Sequence, residues 1–216
     1  MIQGILWDND GVLVDTEYIF YLANKELLNS YSLDLSESDY FDWYLKQDLG
    51  AWHLFHDIGI TNEKIPELRK IRNSIYTQKL HESAQLANHG IELLLQDLYQ
   101  KVPMGVVTSA YKEHFDVIHS RLCLKGYFDF VLTSEDYQNS KPSPEPYLLG
   151  LNKLGLDAQD CVIVEDSPRG LQAALAANIR CIILRNKVTA TYNFQGAYKV
   201  VDSMTELHET LLEMLK

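Results

Sequence analysis

Short apolar runs separated by helical patterns are the feature that most restricts the fold of this 216-residue chain. The runs are rich in β-branched residues and apolar at successive positions, which is typical of strands buried on both faces of a parallel sheet. They span residues 2–7, 104–108, 128–133, 161–165 and 180–185. Helical periodicity fills residues 90–101, 112–124, 144–155 and 167–178. The alternation predicts an α/β fold with a doubly wound parallel sheet and right-handed crossovers.

One long segment interrupts this alternation. Between about residues 16 and 84 the pattern has helical periodicity and no buried strand. Ser36 with Asp39 is typical of a helix N-terminus, and residues 65–82 indicate a long helix with Pro66 in its first turn. We therefore predict a small all-helical cap domain, residues 16–84, inserted in a core of residues 1–15 and 85–216. Because the chain crosses between the domains twice, we expect hinge motion.

Charge and composition disfavour several classes of protein. The formal net charge is −11, whereas proteins that bind a nucleic-acid backbone need an excess of Lys and Arg. The apolar runs are too short to span a bilayer, and no basic leader precedes Asp8. Cys123, Cys161 and Cys181 have no metal-like spacing and indicate reduced thiols. We therefore expect a cytoplasmic protein with no nucleic-acid or membrane partner. The oligomeric state stays open, and a monomer is consistent with the sequence.

Polar residues follow four of the apolar runs. They are Asp8 and Asp10 after the first run, Thr108 and Ser109 at the second, Lys141 after the third, and Glu165 and Asp166 at the fourth. Ligands of open parallel sheets bind beyond the carboxyl ends of the strands, so we expect these residues to converge. Clustered carboxylates repel one another unless a cation joins them, and oxygen ligands suit Mg²⁺. With an ammonium and hydroxyl donors added, the set indicates phosphoryl transfer.

The segments that carry these residues resemble the four signature motifs of the haloacid dehalogenase superfamily. They read DNDGVLVDTE, VVTSA, SKPSPEPY and VIVEDSPRG, in the order and spacing of that superfamily. The resemblance covers essentially the whole chain, including a helical cap after the first motif. It points to the branch of β-phosphoglucomutase and phosphoglycolate phosphatase, and it implies a Rossmann-like core and a Mg²⁺ cofactor.

By position, the resemblance implies a role for each motif residue. Asp8 would be the nucleophile and Asp10 the general acid and base. Thr108 and Ser109 would hold the phosphoryl group, and Lys141 would link the nucleophile to the phosphate. The carboxylates of Asp8 and Asp166 and the backbone carbonyl of Asp10 would bind Mg²⁺. Glu165 would bind the ion directly or orient one of its ligands.

Departures from the superfamily pattern narrow the activity that the resemblance implies. The second acid, Asp10, argues against dehalogenation and phosphonate cleavage. Mutases of this branch usually carry His at the position of Phe20 and Arg in the cap loop, which here reads KQDLGAW over residues 46–52. We therefore expect a Mg²⁺-dependent phosphatase that hydrolyses a small phosphomonoester through an aspartyl-phosphate. A β-phosphoglucomutase-like mutase and a catalytically silent ligand- or partner-binding protein remain alternatives.

Residues 44–56 are the segment expected to choose the substrate. Lys46, Trp52 and His53 are the main candidates, with Gln47 and Asp48 beside them. The aromatic residues also fit the interior of the cap, and Lys46 also fits a solvated helix position. Because the cap is rich in acids, we expect a sugar monophosphate or a similar metabolite rather than a bisphosphate.

Overall fold

The core of the protein is a parallel sheet. The computed structural model describes residues 1–47 and 49–216, and six strands of these residues form one sheet in the order β3-β2-β1-β4-β5-β6. The strands are β1 (Gly4–Trp7), β2 (Met104–Val107), β3 (Phe130–Leu132), β4 (Cys161–Glu165), β5 (Arg180–Leu184) and β6 (Lys199–Val201). All five neighbouring pairs run parallel. The strand order reverses between β1 and β4, so the sheet is doubly wound and the predicted fold class is confirmed.

Helices connect the strands and fill the interrupting segment. They are α1 (Glu17–Asn29), α2 (Glu37–Tyr40), a π-helix (Phe41–Lys46), α3 (Trp52–Asp57), α4 (Ile65–Glu82), α5 (Ile91–Leu98), α6 (Lys112–His119), α7 (Glu145–Leu154), α8 (Pro168–Ala176) and α9 (Met204–Met214). The chain divides into two compact units. We call Met1–Asp15 with Ala87–Lys216 the core unit, and Thr16–Leu86 the helical unit.

The sheet is buried because apolar side chains cover both of its faces. Every residue of β1, β2 and β4 is buried, as the continuous apolar runs predict. On one face Leu6, Ile163 and Cys181 pack in a cluster with Leu171 of α8. Ser167 caps α8 by accepting a hydrogen bond from the Gly170 N–H at 3.1 Å. The start of α8 is therefore fixed directly after the end of β4.

Two parts of the sequence prediction differ from the structure. Residues 112–124 were expected to form one helix, but α6 ends at His119. Ser120 follows, and its Oγ donates to the Val117 carbonyl, a bond by which Ser competes with helix continuation. The elements β6 and α9 were not predicted. The three residues of β6 include a lysine, so no apolar run marks it.

Aromatic rings fill the helical unit. Tyr40 and Tyr44 stack with their ring centroids 4.8 Å apart, and Phe20 meets Tyr76 edge-on at 5.1 Å. Ser36 caps α2 by accepting from the Asp39 N–H, as predicted. Among the residues described, every helix is too short or too polar to span a lipid bilayer.

Candidate active site

The turn after β1 places two acids at the carboxyl end of the sheet. The Asp8 N–H donates to the Val164 carbonyl at 2.9 Å, which holds Asp8 beside β4. The Asn9 carbonyl then accepts the N–H groups of Leu13 and Val14 at 2.8 and 3.1 Å. This tight turn requires a positive φ at Gly11, which has +79°. Asp8 is buried and Asp10 half-buried at the resulting bend.

Lys141 joins three of the strand ends. Its Nζ donates to Asp8 Oδ1 at 2.6 Å, Glu165 Oε1 at 2.8 Å and the Val107 carbonyl at 2.9 Å. The side chain is only 2% exposed. Burial lowers the pKa of Lys141, but the two carboxylates outweigh burial and the net shift is upward. Lys141 is therefore a permanent positive charge between two acids.

The carboxylate of Glu165 is saturated with donors. Besides Lys141, Oε1 accepts the Tyr147 hydroxyl at 2.7 Å. Oε2 accepts the N–H groups of Asp166 and Ser167 and the Ser167 hydroxyl at 3.0–3.1 Å. Burial raises the pKa of Glu165, but these partners, with Lys141 foremost, lower it overall. Glu165 is thus held as a fixed carboxylate that positions Lys141.

Asp8 sits in a different electrostatic environment. Burial raises its pKa to about 8, against the opposing effect of Lys141, and the nearby charges of Glu165 and Asp10 add to the rise. When Asp8 is ionised, three carboxylates (Asp8, Glu165 and Asp166) face the one ammonium of Lys141, and the cluster has a net negative charge. A further cation beside Asp8 would favour its ionised form.

Oxygen ligands for such a cation are close together. Side-chain oxygens of Asp8, Glu165 and Asp166 lie within 4.8 Å of one another. Asn186 helps to hold Asp166 in place, because the Asn186 amide donates to Asp166 Oδ2 at 2.7 Å. A Cβ on Gly11 would overlap the Asp166 carboxylate, so only glycine allows this approach. The all-oxygen donor set and the excess negative charge fit a hard divalent cation.

Thr108 and Ser109 bring hydroxyl groups to the same edge. Thr108 Oγ1 donates to Asp10 Oδ2 at 3.4 Å and accepts from the Ala110 N–H at 3.0 Å. Ser109 Oγ is buried near the Tyr137 hydroxyl and makes no hydrogen bond of good geometry in the part of the chain that the structure describes. A buried hydroxyl without a well-formed hydrogen bond is a group that a bound anion can satisfy.

Several contacts at this edge were not predicted from the sequence. The residues are Asn9, His119, Tyr147, Ser167 and Asn186. Tyr147 and Ser167 lie inside the motif segments, so their position was a usable signal. The contacts of His119 with Asn9 and of Asn186 with Asp166 join distant parts of the chain and have no local sequence signal.

The specificity candidates of the helical unit are held by neighbours within that unit. Lys46 Nζ lies 3.5 Å from Asp42 Oδ1, and the His53 ring meets Trp43 edge-on at 4.5 Å. The Trp52 ring stacks on Phe55 and lies under the guanidinium of Arg69. Asp48 lies outside the described residues. These contacts are structural, and the assignment of Lys46, Trp52 and His53 to specificity stays a prediction.

Known proteins are similar to this chain in sequence and in fold. A phosphoglycolate phosphatase from Pectobacterium atrosepticum is 30% identical over 92% of this chain and 85% of its own. A phosphorylated carbohydrates phosphatase from Thermotoga maritima is 27% identical over 84% of each chain. The crystal structure of β-phosphoglucomutase from Clostridium difficile superposes with a TM-score of 0.84 at 26% identity, covering 100% of this chain and 97% of that one.

The family follows from the match along the chain. A family model described as haloacid dehalogenase-like hydrolase covers residues 5–184, which include all four motif segments. The predicted resemblance is confirmed, and with it the prediction of an enzyme of the phosphatase class. The chain belongs to the haloacid dehalogenase-like hydrolase family.

Proposed function

We propose that the protein hydrolyses a small phosphomonoester in a Mg²⁺-dependent reaction that passes through an aspartyl-phosphate on Asp8. The observation that carries the proposal is the buried bridge from Asp8 through Lys141 to Glu165, beside Asp166. A buried nucleophile with a fixed ammonium and uncompensated negative charge is suited to phosphoryl transfer, in which positioning and charge neutralisation dominate.

Asp8 would attack phosphorus with one carboxylate oxygen. Lys141 holds Oδ1, so the carboxylate cannot rotate freely and the attack direction is set before substrate binds. The Asp8–phosphorus bond forms as the ester bond breaks, and the electron pair of that bond goes to the leaving oxygen. Thr108 and Ser109 would donate to the phosphoryl oxygens, in keeping with the Ser109 hydroxyl, which makes no hydrogen bond of good geometry among the described residues.

Asp10 would act as general acid and then as general base. Its proton would pass to the leaving oxygen, and the resulting carboxylate would take a proton from the water that attacks the phosphorus of the intermediate. The second step returns Asp8 as a carboxylate and releases inorganic phosphate. The half-buried position of Asp10, next to the buried Asp8, suits a group that must reach both the ester and water.

Asp8, Asp166 and the Asp10 backbone carbonyl would hold Mg²⁺. When bound, the ion supplies positive charge that neutralises the phosphoryl oxygens and the carboxylates. Glu165 lies near the other acids, but its two oxygens already accept five hydrogen bonds. We therefore assign Glu165 to positioning Lys141 and the Asp166 backbone rather than to direct binding of the ion.

The proposed substrate class is a sugar monophosphate or a similar small metabolite, in a cytoplasmic setting. Support comes from the names of the relatives, one a phosphatase of phosphorylated carbohydrates and one of phosphoglycolate. A mutase is the second candidate because of the likeness to β-phosphoglucomutase. In this chain, however, Phe20 packs against the rings of Tyr44 and Tyr76, which is an apolar structural role.

The test is phosphate release from a panel of phosphomonoesters, measured with Mg²⁺ and with EDTA. We expect release that EDTA abolishes, and a loss of at least about 10³-fold in Asp8→Asn, which removes the attacking charge and keeps the shape. Phosphorus NMR of the products separates hydrolysis from isomerisation. An isomeric sugar phosphate without net phosphate would establish the mutase, and a folded wild-type protein without any turnover would establish the silent alternative.

A further inference from the structure

A buried chain of hydrogen bonds connects α6 to the first motif. His119 is 3% exposed and Asn9 is 0% exposed. His119 Nε2 lies 2.7 Å from Asn9 Oδ1, and Asn9 Nδ2 donates to Asp10 Oδ2 at 3.2 Å. The two residues are 110 positions apart in sequence. The contact places a histidine two hydrogen bonds from the proposed general acid.

The direction of each bond in this chain is determined by chemistry. Oδ2 of an ionised Asp10 can only accept, and the structure pairs it with the Asn9 nitrogen, so the Asn9 oxygen faces His119. Nε2 of His119 must then carry a proton. Burial, with the Lys125 charge as a lesser cause, lowers the pKa of His119 to about 4, so the ring is neutral at pH 7 and holds a single proton. The other nitrogen, Nδ1, has no partner among the described residues.

We infer that His119, acting through Asn9, is a positioning residue that fixes the carboxyl group of Asp10 for proton transfer. Oδ2 of Asp10 accepts from Asn9 and from the Thr108 hydroxyl. The Thr108 hydroxyl has a single proton, which it would donate to the phosphoryl group once substrate binds, so Asn9 is the donor that keeps Oδ2 of Asp10 in place. With Oδ2 as the acceptor, the acid proton belongs on Oδ1, the oxygen that must face the ester. The inference rests on the proposed function, because it assigns Asp10 the role of general acid.

The step that depends on this orientation is cleavage of the ester. The Asp8–phosphorus bond forms, the bond between phosphorus and the leaving oxygen breaks, and the proton on Asp10 Oδ1 moves to that oxygen. A poor leaving group, such as an alkoxide, needs this proton, whereas 4-nitrophenolate leaves without it. A misplaced Asp10 therefore slows alkyl esters much more than activated aryl esters.

The experiment compares kcat/KM for glycerol 2-phosphate and 4-nitrophenyl phosphate at saturating Mg²⁺. His119→Phe keeps the ring that stacks on Phe115 and removes the N–H donor. We expect a loss of about 10- to 100-fold on the alkyl ester, the range for residues that orient a ligand, and less than about threefold on the aryl ester. His119→Gln supplies an amide N–H and should restore most of the alkyl activity.

A matched control is His114→Phe, which replaces a second buried histidine of α6 whose ring contacts Tyr111. It should leave the alkyl-to-aryl ratio unchanged. If His119→Phe does not fold, the double variant Asn9→Leu with His119→Phe takes its place, because replacing both hydrogen-bond partners by apolar groups leaves neither unsatisfied. The double variant should show the same selective loss.

The outcomes separate this inference from the proposed function. Equal losses on the two esters, an unchanged ratio in a folded variant, or a failure of His119→Gln to restore alkyl activity would overturn the positioning role. Each of these results requires an active wild-type enzyme. A wild-type protein that releases no phosphate from either ester would instead overturn the proposed function, and the inference with it.

Discussion

The two units of the protein each bury a cation, and the described contacts of the two cations differ in kind. In the core unit, Lys141 is 2% exposed and pairs with the carboxylates of Asp8 and Glu165. In the helical unit, Arg72 is 7% exposed. Its guanidinium lies 4.5 Å from the Phe20 ring centroid, and its Nε donates to the Asn73 amide oxygen at 2.9 Å.

This difference separates a site prepared for chemistry from a structural interior. Buried carboxylates around Lys141 carry charge that a reaction can use, at a cost in desolvation that only pairing offsets. The Phe20 ring and the Asn73 amide attract the charge of Arg72, and neither group is a nucleophile or a catalytic acid. The comparison predicts that changes near Lys141 affect turnover first, whereas changes near Arg72 affect folding first.

The largest expected effect is that of Lys141→Met. The variant keeps an unbranched side chain but leaves two buried carboxylates without their cation. We expect kcat/KM to fall by about 10³-fold or more, and the free energy of unfolding to fall by about 3–5 kcal/mol. Steady-state kinetics and urea unfolding measure the two losses. Lys153→Met, at an exposed position of α7, should change neither by much. A Lys141→Met enzyme with normal turnover would contradict the comparison.

The next effect is steric and comes from Gly11→Ala. The added Cβ would overlap the Asp166 carboxylate, and the alanine would also have to adopt a φ of +79°. Displacement of a proposed metal ligand should lower kcat/KM by about 10²-fold. Gly59→Ala is the control, since Gly59 in the helical unit has a φ of +84° and no atom within 4 Å of an added Cβ. Gly59→Ala introduces the same kind of backbone strain without a steric overlap, so equal activity losses in the two variants would refute the steric explanation.

These residues also show how far sequence reasoning reaches. Asp8, Lys141 and Asp166 could be identified because each follows an apolar run, and parallel strands gather their carboxyl ends at one edge. The contact of His119 with Asn9 could not be identified from the sequence, because local patterns do not encode pairing between distant side chains. The burial of Arg72 could not be predicted either, since a charged residue within a helical pattern normally indicates the solvent-facing side.

The last strand and the last helix of the core unit, β6 and α9, were not predicted from the sequence either. The strand β6 has only three residues, one of them Lys199, so it lacks the continuous apolarity of a central strand. The helix α9 did carry a signal. Ser203 accepts from the Glu206 N–H, and Glu206 accepts from the Asp202 N–H, a capping arrangement that its spacing in the sequence makes recognisable.

His119 is a third buried group and, unlike Lys141 and Arg72, it is neutral at pH 7. The pKa of His119 is lowered from 6.5 to about 4 by burial. As the pH falls, the unfolded chain therefore binds this proton first, so the stability contribution is complete above about pH 6.5 and is lost toward pH 4. The loss should reach about 3 kcal/mol. Urea unfolding at several pH values should show a flatter profile in His119→Phe, and an unchanged profile in a variant of the exposed His56. Parallel profiles for His119→Phe and wild type would exclude this source of acid sensitivity.

A smaller effect is expected when Arg72 is replaced by Met. The variant keeps most of the packing volume but loses the attraction between the guanidinium and the Phe20 ring and the hydrogen bond to Asn73. We expect the free energy of unfolding to fall by about 2 kcal/mol, while kcat for an activated ester at saturating substrate changes little. Arg69→Met, at an exposed position over Trp52, should cost less. A large loss of kcat in a stable Arg72→Met would erase the distinction between the two buried cations.

The smallest effect tests whether hydrogen bonds in the helical unit contribute to stability and not to turnover. The Tyr44 hydroxyl donates to Asn24 Oδ1 at 2.9 Å and accepts from the Ala51 N–H at 3.1 Å. Tyr44→Phe keeps the ring stacked on Tyr40 and removes both bonds, so the free energy of unfolding should fall by about 1 kcal/mol. Tyr31→Phe, at an exposed ring, is the matched control. If Tyr44→Phe lowered turnover instead of stability, the helical unit would contribute to the chemistry directly, and the division between a reactive core and a structural helical unit would no longer hold.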